Sequence, residues 1–187
     1  MYSVLSVSFL FTIFTSQILV DLRRPVLYLI FLLAAIQSAA QPALQIHDSI
    51  DQQFFIFAAI EYFEDPTGDI TITDVAAGKY DHLFTPSPLY NPTNTNKSSA
   101  YWHRIKVKHN SASQKSWFIE FFDQTIDQID FYTPLANGSF KKDVYGDRLP
   151  FHSRVLKHKN FIVSLDNSTD DEVTYYFRVK SAQRADV

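Results

Sequence analysis

Strict alternation of apolar and polar residues dominates the second half of the chain. Tyr101, Ile105 and Val107 interleave with Trp102, Arg104, Lys106 and Lys108, the period of two that marks a half-buried strand. Val173, Tyr175, Phe177 and Val179 repeat the pattern, and residues 161–165 carry a shorter version of it. Residues 117–122 and 126–132 are further apolar-rich runs, and the Asn137-Gly138 turn makes residues 129–145 a hairpin. Upstream, residues 54–62 are apolar enough for a buried strand, while residues 70–75 suit either a short strand or the approach to a helical turn. Pro66 and Gly68 mark a tight turn between those two segments. Residues 80–99 hold Pro86, Pro88 and Pro92 and then a polar tract, the pattern of a long irregular loop. Seven or eight short strands spaced roughly ten residues apart predict an all-β fold, an antiparallel β-sandwich or jelly roll like that of carbohydrate-binding modules. A parallel α/β layout would need amphipathic helices between the strands, and no segment supplies them.

The first forty residues break this pattern. They are overwhelmingly apolar and carry only Asp21, Arg23 and Arg24 as charges. Arg23 and Arg24, the apolar run 26–36 and the small residues Ser38 and Ala40 are the parts of a secretory signal peptide over about residues 22–40. Cleavage is expected after Ala40. Residues 1–20 form a second uncharged apolar stretch, about the length of a membrane helix. Either translation starts later, near Val20, or an additional helix tethers the domain to the membrane. Both readings place residues 41–187 outside the cytoplasm as one domain in the periplasm or cell envelope.

Charge and composition narrow the partners. The net charge of −3 lacks the basic excess that a nucleic-acid binder uses to neutralise phosphates. The 17 Phe and 10 Tyr against 4 Gly favour pleated strands. With no cysteine, there is no disulfide, thiolate chemistry or cysteine zinc site. Neither a Gly-x-Ser-x-Gly, a His-Glu-x-x-His nor a phosphate loop occurs, so no enzyme is expected and no cofactor or metal.

Five segments, in order, carry a family resemblance. They are Glu61–Gly68 with residues 70–75; residues 100–110; residues 117–120 with 126–132; Gly146-Asp147-Arg148-Leu149-Pro150-Phe151 with Arg154; and residues 176–181. Together they resemble the second type of extracellular domain in the bacterial seven-transmembrane receptors with diverse intracellular signalling modules. The resemblance implies a jelly-roll sensor for a carbohydrate or similar small molecule, followed in those receptors by seven membrane helices and a kinase or cyclase. With Val187 as the last residue of the sequence, the expectation covers the sensor alone: a receptor domain without its output modules, or a free-standing secreted binding module.

Candidate ligand contacts gather on one strand face. Trp102 beside Arg104, Lys106 and Lys108 suits a sugar or small anion, because a ring stacks on C–H faces while Arg offers a planar fork of donors. The plainer alternative is a polar outer face, with Trp102 covering an edge or turned into the core by a bulge. Arg178 is out of phase with Tyr175 and Phe177 and joins the Trp102 face if the two strands are neighbours. Arg154 is a fourth candidate, although Gly146 and Asp147 read most simply as a turn in which Asp147 pairs with Arg154 or caps backbone N–H groups. Acidic loops at Asp65/Asp69 and Asp166/Asp170/Asp171 read as solvated surface rather than calcium ligands.

Overall fold

The computed structural model describes residues 43–52, 59–86, 93–110, 112–166 and 168–187. All of them belong to the unit Gln41–Val187. The signal peptide and membrane helix expected over residues 1–40, and the start of the strand expected from residue 54, lie outside the described residues.

Among the described residues, nine strands and one short α-helix build the domain. The strands are β1 (Leu44–Gln45), β2 (Ile60–Asp65), β3 (Thr85–Pro86), β4 (Ala100–Lys108), β5 (Phe118–Phe121), β6 (Gln128–Pro134), β7 (Phe140–Tyr145), β8 (Phe161–Ser164) and β9 (Glu172–Lys180). Helix α1 (Ile72–Ala76) falls in the segment open to either strand or helical turn. Thr71 decides between them: its side chain accepts from the Asp74 N–H and caps the first turn.

The larger sheet runs β3-β2-β4-β9-β6-β7, with β1 pairing parallel to the far end of β4. Its other pairings are antiparallel. β5 and β8 form a second, antiparallel pair. The expected hairpin is β6–β7, where Asn137 Oδ1 accepts from the Ser139 N–H and closes the turn.

Alternation sends Ile105, Val107, Phe131, Ile129, Tyr175, Phe177 and Val179 to one face of the large sheet, where Ile119, Phe121, Phe161 and Val163 of the small sheet meet them in one buried cluster. Burying side chains of this size stabilises by about 1.5–3 kcal/mol each relative to exposure. The all-β sandwich read from the sequence is the observed architecture.

A second cluster lies on the opposite face of the large sheet. Phe63, Trp102 and Tyr132 rise from the strands, and Val75, Phe84, Ile70, Ile72 and Tyr80 fold back over them. The chain between β2 and β3 is therefore a cap. Its sharp first turn is fixed by the buried Asp65 carboxylate, which accepts from the Gly68 N–H at 2.8 Å, the Ile70 N–H at 3.2 Å and the Thr67 hydroxyl at 3.1 Å. Asp65, expected on a solvated surface, is instead fully buried, its oxygens taken by two backbone N–H groups and the Thr67 hydroxyl.

Candidate functional site

The strand register sets the capped face out in rows. Phe63, Trp102, Arg178, Asp130 and Val144 lie side by side across β2, β4, β9, β6 and β7. One step along the strands is the row Glu61, Arg104, Tyr176, Tyr132 and Lys142. Arg178 is directly opposite Trp102, so the two candidate strands are neighbours and the residues share a face, as the alternation requires.

Trp102 is nevertheless not solvent-facing. It is fully buried, stacked on Tyr132 with ring centroids 5.5 Å apart. It points to the expected side of the sheet within regular β4 pairing, without a bulge. What alternation leaves out is the cap, which closes over that side from another part of the chain. The Trp102 indole N–H has no hydrogen-bond partner.

Both arginines on this face are held in ion pairs. Arg104 donates from Nε to Glu61 at 2.5 Å and from Nη1 to Asp81 at 2.6 Å, with its guanidinium 4.1 Å above the Phe84 ring. Burial works against the charge, but the two carboxylates outweigh it and hold the Arg104 pKa above its ordinary value. Arg178 donates from Nη2 to the Gly68 carbonyl at 2.5 Å and lies 3.6 Å from the buried Asp130 carboxylate, which also holds Lys142 at 3.0 Å. The Arg178 Nε is buried without a partner. Lys106, on the next row, lies 3.6 Å from Glu172.

Between the two charge clusters sit Tyr176 and Tyr132. Tyr176 is half-buried and packs edge-on against Phe140 at 6.0 Å. Burial raises the Tyr176 hydroxyl pKa, so the group stays neutral and keeps its proton to donate. The surface thus combines the half-buried Tyr176 ring and the buried Tyr132 ring with a carboxylate–Arg–carboxylate triad and an Arg–carboxylate–Lys triad, whose opposite net charges offset one another. Such a surface suits a neutral, hydroxyl-rich ligand: rings cover its apolar face, and fixed donors and acceptors meet its edge. Tyr176 and Tyr132 were not singled out from the sequence, although each has the same parity as Arg178 or Asp130 on its own strand.

Arg154 is elsewhere. It donates from Nη1 to the carbonyls of His158 and Lys159 and stacks on Phe151 and Phe161, clamping the loop before β8. Of the two roles open to Asp147, the ion pair with Arg154 does not form; Arg148 instead pairs with Asp127 at 2.8 Å. Gly146 has the role read from the sequence: its φ of +147° belongs to glycine, and an added Cβ would sit 2.1 Å from the Asp127 carbonyl oxygen.

The family model of the 7TMR-DISM extracellular 2 domain matches residues 58–187. The chain belongs to this family. No curated protein matches the chain. As a 7TMR-DISM extracellular 2 domain, it is of a kind found in the extracellular part of signalling receptors, not a known enzyme family. Among the described residues, no helix is long and apolar enough to cross a membrane.

Proposed function

We propose that this chain is the ligand-binding sensor domain of a bacterial signalling receptor, and that it takes a carbohydrate across the capped face of its large sheet. The observation that carries the reading is the row Arg104–Tyr176–Tyr132–Lys142, which sets two aromatic rings between charged groups on adjacent strands. The triads Glu61–Arg104–Asp81, net negative, and Arg178–Asp130–Lys142, net positive, offset one another across the face and favour a neutral sugar over an anion, which would have to displace a carboxylate already in place. The half-buried Tyr176 ring is the stacking surface. Arg104 and Arg178 are edge donors, and buried Trp102 is the floor that holds Tyr132 flat. Arg154 is not part of this surface. The domain acts outside the cytoplasmic membrane, exported by the segment before Gln41, and works in the jelly-roll manner of a carbohydrate-binding module.

A glycan and metabolite screen of the exported protein tests this. A neutral saccharide should bind, and Tyr176→Ala should weaken it by about 2 kcal/mol, as loss of an aromatic anchor does. Binding that survives Tyr176→Ala and Arg104→Met undiminished would remove the site from this face.

A further inference from the structure

The far side of the sandwich holds a cavity of about 360 Å³ that the sugar-binding reading does not use. Its lining runs from core side chains of both sheets, Val107 of the large and Ile119 of the small, out to the exposed side chains of β5. On β5, alternation turns Ile119 and Phe121 into the core and leaves Phe118 and Glu120 outward. Ile162 stands opposite Glu120 on β8. Ile50, Trp117, Phe122 and Leu156 complete an apolar wall. Phe118, Phe122 and Leu156 are 44%, 61% and 42% exposed, and their gathering around one cavity marks a contiguous apolar patch of the kind that binds ligands. The volume is within the range of small-molecule pockets.

The charge in this pocket has one sign to offer. Glu120 accepts at Oε1 from Asn160 Nδ2 at 2.7 Å, with His158 3.5 Å away, and among the described residues no hydrogen bond reaches its other oxygen. Asp51 is the second carboxylate on the wall. A cation already occupies the rim: the Lys115 ammonium binds Asp51 at 2.6 Å and the Ile50 carbonyl at 3.0 Å, 5.9 Å from the centre of the Trp117 ring. An ammonium resting between a carboxylate and an aromatic face is the arrangement that recognises organic cations.

We infer that this pocket binds a small organic ammonium with an apolar body, its chain or ring against Phe118, Phe122 and Leu156 and its charge on Glu120. The site is independent of the capped face, so either can fail without the other. Trp117 lines it, and the chain's other tryptophan, Trp102, lies in the opposite layer, so the Trp117 indole N–H resonance reports this pocket alone.

Three probes of one shape decide the matter in the exported protein: 2-phenylethylammonium, 2-phenylethanol and phenylacetate. The ammonium should shift the Trp117 resonance saturably, the alcohol about tenfold more weakly, and the carboxylate not at all, since each factor of ten is one lost charge contact of modest strength. Glu120→Gln should bring the ammonium down to the alcohol's affinity and leave the alcohol unchanged. Equal binding of ammonium and alcohol, or no binding of any probe, overturns the inference. So does self-association in sedimentation that Phe122→Glu abolishes, because the apolar wall would then belong to a contact between two copies.

Discussion

His103 makes the interior sensitive to acid. It lies on the core face of β4, fully buried, its ring parallel to Phe177 with centroids 4.7 Å apart and the Tyr62 ring 6.0 Å away. Its Nδ1 has no partner. Burial therefore disfavours the imidazolium and pushes the pKa from 6.5 down to about 3. An unfolded chain binds this proton near pH 6.5, whereas the folded chain resists it until near pH 3, so acid favours unfolding. The stability His103 contributes is complete above pH 6.5 and is lost as the pH falls toward 3. At about 1.4 kcal/mol per unit, the loss is roughly 2 kcal/mol between pH 8 and pH 5 and on the order of 5 kcal/mol by pH 3. Urea titrations of the exported protein at pH 8 and pH 5, beside His103→Phe, measure it. Phenylalanine keeps the stack on Phe177 and removes the proton site, so the variant should lose about 2 kcal/mol less than wild type over that interval. Parallel losses in the two proteins would refute the reasoning and put the acid sensitivity elsewhere.

Two further predictions rest on backbone geometry and on the leader. Gly146→Ala should destabilise by about 3 kcal/mol or more, read from a urea midpoint, because the added methyl meets the Asp127 carbonyl at 2.1 Å in a conformation alanine avoids; a shift below about 0.5 kcal/mol would contradict it. Export in a bacterial host should yield a mature protein beginning at Gln41, established by N-terminal sequencing, and an intact N-terminus in the membrane fraction would favour the tether.

Much of the sheet could be read from the chain because its information is local. The period of two in β4 and β9 fixes which residues face inward, and Arg178 met Trp102 because two strands of matching parity became neighbours. Asn137-Gly138 and Gly146 encode their turns within a few residues. The cap was not legible for the opposite reason. Residues 70–75 have a pattern compatible with strand or helix, and their decision rests on Thr71, while their destination over Trp102 rests on contacts with β4 and β6 some thirty to sixty residues away. The same limit hid the partners of Arg104, since Asp81 reaches it only once the cap has closed. Arg154 was misleading because its stacking partner Phe161 and carbonyl acceptors follow it in a loop whose fold no periodicity announces.

The central claim is that ligand binds on the capped face above Trp102. The chain has two tryptophans, so Trp117→Phe leaves Trp102 as the single indole emitter, stacked beneath Tyr132. Titrating this variant with the saccharide found by screening should change the Trp102 emission saturably, at the same affinity that calorimetry gives for wild type. Tyr176→Ala in that background should remove both the emission change and the heat. Full calorimetric binding with silent Trp102 emission, undiminished by Tyr176→Ala, would contradict the account.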